Sequence, residues 1–254
     1  MDMDMQAIPN IERVRHELKR RALTVKTVEK LTPCMLRITL AGDDLADFTS
    51  LAADDHCKVI VPDENGENVM RDYTPRAYDN AARSLVIDFA VHDAGPATRW
   101  ALAAKVGDTV EIGGPRGSAV LKGAIDRMVL IGDETALPAI GRQIEEAAPG
   151  TKIEAIVAVP SPEDEQAFAT AADLSIRWIH RPEAQATEPS HFIEALADVT
   201  LGEGTYVWIA AEAGVAKAIR RHLMDELNHP LTWMKSAGYW VKGQADTSEK
   251  NISE

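Results

Sequence analysis

Met70-Arg71-Asp72-Tyr73-Thr74-Pro75-Arg76 follows a turn at Asn65-Gly66 and sits between two β-like runs. Side chains alternate faces along a strand, so Arg71 and Tyr73 are expected to point the same way. That sets a fixed cation beside an aromatic plane. Thr74 adds a hydroxyl, Pro75 is expected to end the ladder because it has no N–H to donate, and Arg76 adds a second cation. A flavin nucleotide asks for this set: charge for its phosphates, a ring for the isoalloxazine, a polar group near N5. An edge strand with solvated arginines accounts for the same residues, and the stretch alone leaves both readings open.

A second stretch bears on the choice. His92-Asp93-Ala94-Gly95-Pro96-Ala97-Thr98-Arg99-Trp100 follows the strand-like run Ser84–Val91. Gly95 permits a tight turn, and Pro96 suits the first position of a helix reaching about Ala104. The amides near Ala97 and Thr98 then form a helix start suited to a pyrophosphate. Two phosphates point to FAD rather than FMN.

Working outward, Ala22–Lys30, Cys34–Leu40, His56–Val61 and Thr109–Ile112 mix apolar and polar residues at period two. Short strands at close spacing with one helix predict a small antiparallel barrel ending near Gly123. Residues 1–15 read as loose or weakly helical. Beyond residue 123 the pattern changes. Apolar strands at Arg127–Ile131, Ile153–Val159, Ile176–His180, Tyr206–Ala210 and Leu231–Lys235 alternate with helices near Leu137–Ala148, Ser190–Val199 and Val215–Asn228. Alternation predicts an open parallel sheet. The fold class is therefore a two-domain protein: an antiparallel β-barrel over residues 16–123 and an α/β parallel open sheet over residues 124–243. A polar tail, residues 244–254, follows.

Composition sets limits. The chain has 254 residues, 45% of them hydrophobic, with no apolar run of about 18 residues. Its acidic start, Met1-Asp2-Met3-Asp4-Met5, lacks a secretory pattern, so a cytoplasmic location is expected. Cys34 and Cys57 cannot supply four ligands to an iron–sulfur cluster and read as small buried hydrophobes. No histidine spacing suits a metal. The net charge of −13 argues against nucleic acid and anionic membranes, so any anionic ligand depends on local basic groups.

The second half is the natural place for a nicotinamide donor, since open parallel sheets take ligands at the carboxyl ends of their strands. Gly132-Asp133-Glu134-Thr135 and Ala211-Glu212-Ala213-Gly214 stand at two such ends, and neither is a Gly-x-Gly-x-x-Gly fingerprint. Asp133, Glu134 and Glu212 would repel a pyrophosphate placed there; they read equally as carboxylates complementing helix dipoles. Trp178 and Trp208 lie inside apolar strands and read as core.

These stretches, with Gly132–Pro138 and Gly238-Tyr239-Trp240, fall in one order over roughly residues 16–243. In that order the chain resembles the siderophore-interacting proteins, a flavin branch of the ferredoxin–NADP reductase superfamily. The resemblance implies an FAD-dependent ferric-siderophore reductase fed by NADPH or NADH, with a ferredoxin as an alternative donor. It implies FAD contacts from Arg71, Tyr73, Thr74, Arg76, His92, Ala97, Thr98, Asp133, Thr135, Tyr239 and Trp240. It makes Lys58 and Lys242 the preferred pair for an anionic ferric chelate. No residue is assigned as catalytic or as a metal ligand. A general NAD(P)H:flavin or quinone-type oxidoreductase, a ferredoxin-dependent flavoprotein and a non-catalytic siderophore carrier remain alternatives.

Overall fold

The computed structural model describes residues 8–91 and 95–244. They form two compact units, one of residues 12–120 with 141–143, the other of residues 8–11, 121–140 and 144–244.

The strands up to residue 122 are β1 (Asn10–Arg15), β2 (Arg20–Thr32), β3 (Met35–Ala41), β4 (Cys57–Pro62), β5 (Asn68–Tyr73), β6 (Pro75–Asp79), β7 (Ser84–Ala90), β8 (Thr109–Gly113) and β9 (Gly117–Lys122). Seven of them form an antiparallel sheet in the order β5-β4-β8-β2-β3-β7-β6. Its two edge strands, β5 and β6, are separated in the chain by Thr74 alone. A flat sheet of this width would hold its edges roughly 29 Å apart, six spacings of about 4.8 Å. One residue spans at most about 3.6 Å. The sheet therefore curls until its edges meet, and Arg71–Arg76 forms the seam of an antiparallel half-barrel.

Pro75 thus opens a strand instead of ending one. Proline is tolerated at the first residue of an edge strand, where no ladder donor is missed. Inside the curl, Leu36, Ile38 and Leu40 of β3 and Leu85, Ile87 and Phe89 of β7 are buried with Cys57, Val59 and Val61 of β4. Each large apolar side chain so buried contributes about 1.5–3 kcal/mol. Helix α1 (Pro96–Ala103) packs Ala97 and Ala101 into the same core.

Residues 10–15, expected to be loose or helical, form β1, which pairs with β9. Its side chains are almost all exposed, so no burial periodicity marks it. Its partner makes it a strand: a Cβ on Gly117 would lie 2.5 Å from the Val14 carbonyl oxygen.

In the other unit, β10 (Arg127–Gly132), β11 (Lys152–Val159), β12 (Asp173–His180), β13 (Thr205–Glu212) and β14 (Met234–Trp240) are all parallel, in the order β12-β11-β10-β13-β14. Helices α2 (Leu137–Glu146), α3 (Ser190–Leu196) and α4 (Ala213–Asp225) connect them. Every residue of β13 is buried, which is why it reads as a continuous apolar run. Strand order reverses between β10 and β13, the switch point at which such sheets bind ligands. The last strand begins later than expected: Leu231–Trp233 is a 3-10 turn closed by the Trp233 amide on the Pro230 carbonyl, and pairing starts at Met234 opposite Val207. Gly238-Tyr239-Trp240 are therefore strand residues. Of the expected polar tail, only Gln244 lies within the described residues. Among those residues no helix is long and apolar enough to cross a membrane.

Candidate functional site

In the half-barrel unit, register fixes the faces of the seam. Tyr73 pairs with Cys57 and Arg71 with Val59, both buried core positions, so Arg71 and Tyr73 share the inner face as expected. The Tyr73 ring lies 4.4 Å from Phe89, which in turn lies 5.7 Å from Trp100 of α1. Its hydroxyl is hydrogen-bonded to the Thr98 side chain, and burial pushes its pKa up, so it stays a neutral phenol. Arg71 is half-exposed and donates from Nη1 to the Met70 carbonyl at 2.9 Å.

Helix α1 starts at Gly95 with extended backbone and Pro96 in the first turn, and among the described residues no N-cap side chain bonds to its start. Ala97 and Thr98 supply the first-turn amides and are both buried. Structure thus brings Tyr73 and Thr98 together at the start of α1. An anionic phosphate group fits there, since the first-turn amides and the positive end of the helix dipole both favour it. Thr74 is buried between the two seam strands. His92 lies outside the described residues.

Arg76 is buried on β6, its Nε 3.7 Å from Asp88. Asp88 also receives Arg37 in a bidentate pair, both bonds 2.7 Å. Arg76 is thus engaged in an internal charge cluster. Sequence reading missed Arg37, although its register partner on β7 is Asp88; opposite charges directly across two alternating strands were the available signal.

Lys58 sits on the outer face of β4, opposite the face that carries Tyr73. Its ammonium lies 2.9 Å from Asp72 Oδ1, directly across the ladder. Cys57, next to it, is fully buried, and its thiol is pushed up to about 12 by burial and, secondarily, by the Asp72 charge.

In the second unit, Asp133 gathers the strand ends. Its Oδ1 accepts from the Thr135 amide (3.0 Å) and hydroxyl (2.5 Å). Its Oδ2 accepts from the Glu212 amide (3.0 Å) and from Trp240 Nε1 (2.9 Å). Asp133 is 1% exposed. These four contacts tie the loop after β10 to the ends of β13 and β14.

Glu212 caps α4, its Oε2 accepting from the amides of Gly214 (2.6 Å) and Val215 (3.1 Å). The dipole-complementing reading therefore holds for Glu212. Lys242 is exposed, and its amide reaches Glu212 Oε1 at 3.4 Å. Tyr239 packs edge-to-face on buried Trp208, ring centroids 6.1 Å apart.

Glu134 is buried and ion-paired with Arg181, Oε2 to Nη2 2.9 Å. Burial first, and the Asp133 carboxylate second, push its pKa up to about 7. Arg181 escaped the sequence reading, because an arginine after a strand reads as surface; here it is 1% exposed.

A curled antiparallel sheet with Arg-x-Tyr-Thr at its seam, together with an open five-stranded parallel sheet, is the fold of the ferredoxin-reductase class. The ferredoxin reductase in carbazole 1,9a-dioxygenase, 17% identical, shares that fold with TM-score 0.65 over 86% of this chain and 69% of its own. The family model described as siderophore-interacting protein matches residues 125–243, and that described as siderophore-interacting FAD-binding domain matches residues 24–68 and 62–119. The chain is 32% identical over 251 residues to the NADPH-dependent ferric-chelate reductase of Escherichia coli (strain K12), covering 90% of this chain and 96% of that protein. A siderophore utilization protein from T. fusca superposes with TM-score 0.86 at 35% identity, over 95% of this chain and 99% of that one. The chain belongs to the siderophore-interacting protein family.

Proposed function

We propose that this protein is an FAD-dependent ferric-siderophore reductase that draws electrons from NADPH or NADH. The observation that carries the reading is the seam: Tyr73 meets Thr98 at the start of α1, with the Arg71 guanidinium on the same face as Tyr73. Family membership and the E. coli relative's name, NADPH-dependent ferric-chelate reductase, support it.

In this reading the amides of Ala97 and Thr98 hold the FAD pyrophosphate, and Arg71 offsets its charge. Tyr73 and Thr74 present ring and hydroxyl to the isoalloxazine. Arg76 and Asp133 act by position, one through Asp88, the other by holding Thr135 and Trp240 in place. Thr135, Tyr239 and Trp240 are the cofactor contacts of the second unit. Lys58 and Lys242 meet the anionic chelate.

Bound FAD supplies the exchange between a two-electron hydride donor and a one-electron acceptor. The substrate is chelated Fe(III), whose hard anionic oxygen ligands hold the more highly charged ion more tightly. Reduction to Fe(II) therefore loosens the chelate, and the protein need not ligate iron. We place the reaction in the cytoplasm.

The test is spectroscopic. Purified protein should carry a flavin band that NADPH or NADH bleaches without oxygen and that a ferric siderophore restores. A colourless protein would overturn the reading. So would a bleached flavin that quinones reoxidise and ferric chelates do not.

A further inference from the structure

The carboxyl end of the parallel sheet holds an unusual surplus of buried negative charge. Asp133 and Glu134 follow β10, Glu212 ends β13, and all three are buried. Among the described residues the cation that meets them is the Arg181 guanidinium, whose Nη2 donates to Glu134 Oε2 at 2.9 Å. Arg181 Nε and Nη1 have no hydrogen-bond partner among the described residues.

The three carboxylates are not equivalent. Asp133 accepts four hydrogen bonds, from Thr135 twice, Glu212 and Trp240. Glu212 accepts two from the start of α4 and a weaker one from the Lys242 amide. The carboxylate with the fewest hydrogen bonds to its charged form is the one that takes a proton most readily. Glu134 has Arg181 as its side-chain partner and a fixed negative charge at the adjacent residue. A proton relieving this cluster therefore goes to Glu134. The charged groups around it are Asp133 on its own loop and Arg181 after β12. Glu212 is joined to Asp133 through its amide, and the Lys242 amide to Glu212.

An anion arriving at these strand ends adds to the surplus and raises the demand for that proton. We propose that Glu134 takes up a proton when an anionic nicotinamide dinucleotide binds at the carboxyl end of this sheet, with Arg181 as the residue that positions its carboxyl. This rests on the reading that the second unit takes the nicotinamide donor. The step is a proton transfer from solvent to a Glu134 carboxylate oxygen, with no change of oxidation state.

Isothermal titration of the oxidised, FAD-loaded protein with NADP+ and NAD+, in buffers of different ionisation enthalpy at pH 7–8, counts the protons. Wild type should take up between about half a proton and one proton more than Glu134→Gln. The 2′-phosphate's own titration is common to both proteins and drops out of the difference. Affinity for either dinucleotide should fall from pH 7 to pH 8.5, by up to about tenfold per pH unit for one linked proton. Glu134→Gln should lose that dependence and bind at least as tightly as wild type at pH 8.5. Glu134→Asp, which keeps a carboxyl, should restore part of the uptake and guards against a folding defect in the amide variant. Binding with equal proton uptake in wild type and Glu134→Gln would overturn the proposal and leave the donor reading standing. No binding of either dinucleotide to wild type would overturn both.

Discussion

Asp133→Ala should be among the most damaging single substitutions in the parallel-sheet unit, for a reason independent of any ligand. It deletes the acceptor of the Glu212 amide and of Trp240 Nε1. Thr135 can turn its hydroxyl elsewhere, but the Glu212 amide lies at a buried contact. Each buried donor left without an acceptor costs about 1–3 kcal/mol, more where the lost acceptor was charged. Two such donors put the loss at about 4 kcal/mol. Trp240→Phe removes one donor and leaves Asp133 three others, so it should cost only about 1 kcal/mol. Urea unfolding followed by far-ultraviolet circular dichroism compares the two without relying on tryptophan emission. Native-state hydrogen exchange should also show the Glu212 amide losing protection in Asp133→Ala. If Asp133→Ala lies within 1 kcal/mol of wild type, or if Trp240→Phe costs as much, Asp133 is not the clasp of these strand ends.

Arg71→Ala should weaken FAD binding by about 1.5–3 kcal/mol, roughly 10- to 150-fold, measured by flavin fluorescence on the apoprotein; an unchanged Kd removes Arg71 from the site. Lys58→Ala should keep the flavin and raise KM for anionic chelates, and Asp72→Asn, which removes the charge opposing Lys58, should lower it; equal KM in all three proteins takes Lys58 out of the substrate site. The Cys57 thiol, pushed up to about 12, should resist iodoacetamide at pH 8 in the folded protein, and alkylation at the rate of a free thiol refutes its burial. The Glu134 carboxyl binds its proton more tightly folded than unfolded, where it titrates near 4.5. Stability should therefore fall as pH rises from about 4.5 through about 7, by about 3 kcal/mol in all, and the Glu134→Gln difference should isolate that slope.

Much of this architecture is legible along the chain. Alternation in Leu36-Arg37-Ile38-Thr39-Leu40 marks a strand with one buried face, and the unbroken apolar run Tyr206–Ala210 marks one buried on both. Gly95-Pro96 announces the start of α1 by backbone chemistry alone. Where a signal depended on a distant partner it was lost. Residues 10–15 bury almost nothing and become a strand because β9 lies beside them. Pro75 reads as a stop until β6 is seen to be an edge.

The same division runs through the candidate site. Residue order alone determined that Arg71 and Tyr73 share a face, that a helix start follows the next strand, and that carboxylates stand at two ends of a parallel sheet. Period and backbone chemistry are local, so the chain states them outright. Tertiary structure decided which charges are engaged internally: Arg76 against Asp88, Lys58 against Asp72, Asp133 among four donors, Glu134 against a buried Arg181. Those assignments join residues far apart in the chain or set by strand register, and burial gives them their energetic weight. A charge's partner and its dielectric surroundings exist only once the sheets have formed.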